Sequence, residues 1–208
     1  MGTIQQMLLG EYATTSTSLY WNPSDKAAEL TLSNAFATCL RSTTNDGAWR
    51  MVRGVSSHNT GKWYAEILID ANGAGNGSVI FGLALAGAGL SGYVGSDANS
   101  LGIQPNNTAN VSTYFTGGQT TFGTSLVAGP GDRAMVAIDI DAGKVWFGSK
   151  GTWLGSGNPA AGTGQQYNVS PQAFYLALSE SLSPAQTTLK SRSGDNLYTP
   201  PTGFSMWG

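Results

Sequence analysis

Charge is what this chain has least of: only 11% of its 208 residues are Asp, Glu, Lys or Arg, and they leave a net charge of −2. The few cations are scattered. A nucleic-acid surface needs several phosphate-neutralising cations on one face, so no nucleic acid is expected as a partner. Cysteine is limited to Cys39, which excludes an internal disulfide and a thiolate metal cluster. Lying in an alternating stretch from Leu30 to Leu40, Cys39 reads as a small buried apolar residue rather than a reactive thiol. Histidine occurs once, as His58; without cysteine or carboxylate neighbours it offers neither a metal site nor a general base, and it reads as a solvated loop residue. No run of about 18 apolar residues occurs and no basic stretch leads into one, so neither a membrane span nor a signal peptide is expected. No metal and no cofactor are expected.

Glycine and aromatic residues are present in quantity. Twenty-nine glycines are poor for helices and suit a sheet protein with many turns. Six Trp, eight Tyr and seven Phe supply a core, each burying on the order of 150–250 Å². The length fits one domain with a short extension, divided here into residues 1–18 and 19–208.

The clearest element is the stretch GDRAMVAIDIDAGKVWFGSKGTW, Gly131 to Trp153. Ala134, Val136, Ile138 and Ile140 alternate with Met135, Ala137 and Asp139; Val145 and Phe147 alternate with Lys144 and Trp146. This period of two predicts a hairpin with one face on a core, closed by Asp141 and Gly143. Glu29 to Thr38, Ala48 to Val55, Lys62 to Asp70, Val79 to Leu85, Phe174 to Leu178 and Gln186 to Lys190 are further expected strands. Along the second of these Trp49, Met51 and Arg53 share one face. Ala71 to Ser78 reads as a flexible hairpin loop, and Gly87 to Gly102, Asn106 to Gly123 and Gly155 to Gly164 as longer loops. No amphipathic helix or internal repeat is seen. The fold class is all-β.

Three of these segments carry a resemblance. Gly61-Lys62-Trp63-Tyr64-Ala65-Glu66, then Val79-Ile80-Phe81-Gly82-Leu83-Ala84, then the Gly131 to Trp153 hairpin resemble, in order, the hallmark strands of SPRY (B30.2-like) domains. The resemblance covers roughly Leu19 to Trp207 and implies a concanavalin-like antiparallel β-sandwich, a SPRY-like jelly roll with a short N-terminal arm. The stretches Trp21 to Lys26, Tyr93 to Asn99 and Tyr198 to Phe204 resemble bacteriophage virion proteins that carry this module. In SPRY domains partners are bound by loops at one end of the sandwich. Carried onto this chain, that surface comprises Tyr93, Asp97, Asn99, Tyr114, Phe115 and Trp153; Tyr114, Phe115 and Trp153 read equally well as core.

Related sandwiches include glycoside hydrolases and lyases, so paired carboxylates were weighed. Asp139 and Asp141 lie on one strand face about 7 Å apart, inside the glycosidase window, but Asp141 opens a tight turn and reads as structural. Glu66 and Asp70 stand about 13 Å apart, too far for an acid/base pair. No G-x-S-x-G elbow accompanies His58. The chain is therefore expected not to be an enzyme.

Residues 1–18 fall outside the SPRY-like pattern. Ile4, Met7, Leu8 and Leu9 form an apolar cluster followed by a Thr/Ser-rich tract. Burying so few apolar groups does not by itself offset the entropy of ordering the segment. It reads as an assembly arm that adds to a sheet edge, or else as a frayed end or a first strand of the domain; its opening also resembles small bacteriophage structural proteins. The expected function is thus a non-catalytic virion protein, a tail-fibre, spike or capsid-decoration component assembled in the host bacterial cytoplasm. Its expected partners are other virion proteins and itself, as a homo-oligomer. The alternative is a carbohydrate-binding receptor module recognising a host surface glycan, because the loops are rich in Ser, Thr, Asn and Gly with isolated aromatics.

Overall fold

A computed structural model describes residues 19–41, 46–73, 77–107 and 109–208; Ile4, Met7, Leu8 and Leu9 of the expected arm lie outside them. The strands are β1 Trp21–Lys26, β2 Leu30–Ser33, β3 Thr38–Arg41, β4 Arg50–His58, β5 Lys62–Ala71, β6 Val79–Ala84, β7 Ser100–Gln104, β8 Ser112–Phe115, β9 Gly118–Thr121, β10 Arg133–Asp139, β11 Lys144–Ser149, β12 Thr152–Trp153, β13 Tyr167–Asn168, β14 Phe174–Glu180, β15 Gln186–Leu189 and β16 Ser205–Met206. They form two sheets. The first has seven strands in the order β1-β4-β14-β6-β7-β8-β9. The second runs β12-β11-β10-β5-β15-β3-β2, with β13 on β11 and β16 on β5. All pairings are antiparallel except that of β16, which continues the β15 side of β5 in parallel fashion at Trp63 and Tyr64. The expected all-β sandwich is what the chain forms.

Between the sheets lies one core. From the first sheet come Val52, Val79, Phe81, Leu83, Leu101, Ile103, Leu176 and Leu178; from the second come Ala65, Ile67, Val136, Ile138, Val145 and Phe147. Those of β5, β6, β10 and β11 are alternating positions read from the sequence, whereas Leu101 and Ile103 belong to β7, which takes up the end of the expected Gly87 to Gly102 loop; Trp21 and Trp207 close the core as fully buried rings. Fully burying a side chain of this kind contributes about 1.5–3 kcal/mol.

The β10–β11 hairpin departs from expectation in being buried on both faces. Met135, Ala137 and Trp146 on the outer face join Tyr64 and Phe204 in a second cluster, with Trp153, Tyr198 and Met206 packed against it. The lid is the C-terminal segment from Asn196 to Trp207. It is held by Glu66, whose carboxylate accepts the Tyr64 hydroxyl at 2.6 Å, the Tyr198 N–H at 2.9 Å and the Leu197 N–H at 3.0 Å. Arg133 approaches the same carboxylate at 3.8 Å. A buried carboxylate is tolerated because its lone pairs are met by donors.

Other differences concern turns. Glu29 to Thr38 is not one strand but the β2–β3 hairpin, reversed through Asn34, Ala35 and Phe36, all at positive φ (52°, 50° and 64°). No Gly or Pro marks that reversal. Within Asn106 to Gly123, β8 and β9 pair across Thr116 and Gly117, both at positive φ as a two-residue hairpin turn requires. The glycine-rich stretch before Val79 is no hairpin loop: β5 and β6 belong to different sheets, so the chain crosses the sandwich there. His58 ends β4 instead of standing in a solvated loop. Its ring stacks on Trp63 at 3.5 Å and its Nε2 donates to the Trp207 carbonyl at 2.8 Å; burial holds its pKa below the usual value. Cys39 is buried, as read.

At the far end of the core, Glu180 of β14 accepts the Thr187 hydroxyl at 3.0 Å, beside the Cys39 thiol. This contact joins the two sheets. Burial pushes the Glu180 carboxyl well above its ordinary 4.5.

Two outcomes are expected. Glu66→Ala should destabilise the fold by about 3–5 kcal/mol, and hydrogen exchange in Glu66→Gln should show the Leu197 and Tyr198 amides losing protection first; unchanged protection would break the latch assignment. For Glu180 the folded state holds a proton that the unfolded state has released. Its contribution is therefore complete below pH 4.5 and falls by up to about 1.4 kcal/mol per pH unit above it, until the folded pKa is passed. Urea unfolding at pH 5 and pH 8 should show Glu180→Gln gaining on the wild type as pH rises; parallel curves would refute the assignment.

Candidate functional site

The outer face of the seven-stranded sheet is small and flat where β14, β6 and β7 present Ala177, Ala84, Gly82 and Gly102. A Cβ on Gly102 would sit 2.8 Å from Ile80 Cγ2 and 2.9 Å from Val94 Cγ1, so glycine is what lets the segment 85–99 lie directly on the sheet. Gly95, at φ +99°, presses so close to β8 that a Cβ would meet Tyr114 Cβ at 2.5 Å. Hydrogen bonds fasten the segment along its length. Leu90 O accepts from Met51 N at 2.9 Å, Val94 N donates to Ser179 Oγ at 3.1 Å, and Gly95 N donates to Ser100 Oγ at 2.8 Å.

Arg53 is the anchor beneath. Its guanidinium grips Asp25 with both forks, at 2.8 and 2.7 Å, and donates to the Ala88 carbonyl at 2.6 Å. A bidentate pair of this kind fixes direction as well as distance. The Trp21 to Lys26 stretch is thereby explained: Trp21 fills the core, Asp25 holds Arg53, and Lys26 Nζ caps the Leu30 carbonyl at 2.7 Å.

So fastened, the segment brings Tyr93 against Tyr114 of β8, ring centroids 5.3 Å apart and planes at 70°. Trp49, just before β4, meets Tyr93 from the other side at 6.0 Å and 61°. The three half-buried rings wall a cleft of about 330 Å³, floored by Ile80 and rimmed by Gln104, Asn107 and Gln119. Among the described residues no charged one lines it. The Tyr114 hydroxyl donates to Gln104 Oε1 at 2.8 Å while Gln104 Nε2 donates to the Gly77 carbonyl, and burial holds the Tyr114 phenol above its usual pKa. Ring faces and neutral amides can grip an uncharged, partly apolar ligand; they supply no acid, base or nucleophile.

Of the residues expected at the partner surface, the fold unites Tyr93 and Tyr114 in this cleft. Asn99 and Phe115 line a neighbouring one of about 240 Å³ at the mouth of the sandwich, with Leu85, Val169, Gln172 and Phe174. Between the two, Asp97 Oδ1 accepts Asn99 N at 2.9 Å and Ser100 Oγ at 3.2 Å, so its carboxylate shapes the turn. Trp153 stands apart, half-buried edge-on to Tyr64 at 6.1 Å under the C-terminal lid. Sequence reasoning missed Trp49, Gln104, Asn107 and Gln119. The alternation had set Trp49 on the face of Met51 and Arg53, but nothing local says that this face carries a cleft.

The carboxylates weighed for chemistry are engaged in the fold. Asp139 accepts the Ala142 N–H at 3.0 Å and pairs with Lys62 at 3.1 Å; Asp141 accepts the Gly61 N–H at 3.1 Å; Asp70 accepts the Thr188 hydroxyl at 2.6 Å. Among the described residues no three His, Cys, Asp or Glu side chains gather where a metal ion would bind, and no helix is long and apolar enough to cross a membrane.

No protein-family model matches the chain, and no curated protein matches it in sequence. Solved structures do match. The crystal structure of the TRIM65 PSpry domain superposes with a TM-score of 0.61 at 15% identity, over 82% of this chain and 90% of that one. The SPRY domain of human HERC1 gives 0.60 at 13% identity, over 81% and 96%. A further human SPRY domain gives 0.58 at 17% identity, over 77% and 94%. Likeness at this level of identity concerns the fold, and in fold the chain is a SPRY-like antiparallel β-sandwich.

Proposed function

We propose that this chain is a non-catalytic recognition and assembly module of a bacteriophage virion, a tail-fibre, spike or capsid-decoration component assembled in the host bacterial cytoplasm. One observation carries the non-catalytic part. The carboxylates best placed for chemistry hold turns and latches, whereas the two clefts that take up the expected surface residues offer rings and amides. A SPRY-like sandwich suits such a role because its sheets are scaffold and its crossing segments are free to vary. The virion setting rests on the resemblance of the Trp21, Tyr93 and Tyr198 stretches to phage proteins.

Assembly is assigned to residues 1–18. The apolar cluster Ile4, Met7, Leu8 and Leu9 is assigned a contact with other virion proteins or with a second copy. The neutral aromatic cleft favours a second reading, recognition of a host surface glycan.

Light scattering on the full-length chain beside residues 19–208 tests the assembly role. The full chain should be an oligomer and the shorter one a monomer, with the melting temperature of the domain unchanged. Equal masses would refute self-assembly through the arm.

A further inference from the structure

We propose that the cleft walled by Trp49, Tyr93 and Tyr114 is a saccharide site for an uncharged pyranose-based glycan; this rests on reading the chain as a recognition module and names the ligand of that module. The first argument is shape. Adjacent rings meet at 61° and 70°, which makes a corner rather than a parallel slot. A flat aromatic ligand needs parallel walls to stack on both faces, whereas a pyranose has one C–H-rich face to lay on a ring and a rim of hydroxyls to turn elsewhere. The cleft, about 330 Å³, sits at the small end of ligand sites, which run from about 300 to 1,000 Å³, and so fits one or two sugar rings.

The second argument is the kind of polar group on the rim. All are neutral, so the site has nothing to neutralise a carboxylate, sulfate or phosphate. The Trp49 indole N–H, the Tyr93 hydroxyl, the Asn107 side-chain N–H groups and the Gln119 side-chain carbonyl have no hydrogen-bond partner among the described residues. Together they offer donors and acceptors side by side, as sugar hydroxyls, which do both, require.

Rigidity is the third. Gln104 is held at both ends, by the Tyr114 hydroxyl and the Gly77 carbonyl. The Tyr93 segment is fastened at Met51, Ser179 and Ser100, and Gln119 is tied to Ser112 through its amide nitrogen at 2.9 Å. A site built in advance avoids the ordering cost of binding.

The test uses the full-length chain on an array of neutral hexose and N-acetylhexosamine oligosaccharides, with sialylated and sulfated forms and unrelated peptides as controls, followed by calorimetric titration. Neutral glycans should be retained. Trp49→Ala and Gln119→Ala should each weaken them by about tenfold or more, with solution mass unchanged in both and melting temperature unchanged in Gln119→Ala; Gln119 stands on the exposed edge strand, so its loss leaves the fold intact. An array blank for neutral glycans, retention only of charged glycans or of peptides, or wild-type affinity in both variants would overturn the proposal. Solution mass in the same samples separates the two readings: a persisting oligomer without glycan binding retires the sugar site alone, and a monomeric full-length chain counts against assembly whatever the array shows.

Discussion

A sheet whose strands are apolar on both faces has to be covered twice, and this molecule is arranged around that requirement. Sandwiching covers the inner faces, as the alternating residues of β5, β6, β10 and β11 demand. The outer faces are covered by the chain's own irregular segments, the C-terminal lid on one sheet and residues 85–99 on the other. Each is fastened by one buried charged group: Glu66 gathers the backbone N–H groups of the lid, and Arg53 grips Asp25 and the carbonyl of Ala88.

The scarcity of charge then acquires a structural meaning. Glu66, Arg53 and Asp139 are largely withdrawn from solvent and already paired, and the cleft walled by Trp49, Tyr93 and Tyr114 is lined by rings and carboxamides. A neutral cleft discriminates by shape and by hydrogen-bond pattern rather than by long-range attraction, which gives slow, salt-independent recognition.

The strands that carry the SPRY-like resemblance were legible because their signal is local. Period-two alternation from Lys62 to Asp70 and from Ala134 to Ile140 names the strand and its inner face, and Asp141 with Gly143 names the turn. The β2–β3 reversal was not legible, because Asn34, Ala35 and Phe36 enter the left-handed region without glycine, held there by neighbours distant in sequence. The β8–β9 hairpin was hidden in a Thr-rich run whose side chains have no apolar period; β9 is exposed throughout and owes its place to pairing with β8.

Composition and periodicity by themselves determined that the chain is all-β and which residues of the strands after Lys62, Val79 and Arg133 face its core, because these properties depend on neighbours within a few residues; the sandwich and the choice of Tyr93 and Tyr114 came with the SPRY-like resemblance. Only the tertiary structure decided that Trp49, Tyr93 and Tyr114 form one corner, that Asn99 and Phe115 face a different cleft and that Trp153 belongs under the lid. Those outcomes depend on where a segment held by Arg53 and admitted by Gly102 comes to rest on a sheet assembled from strands far apart in the chain, and no local pattern records the meeting of such distant parts.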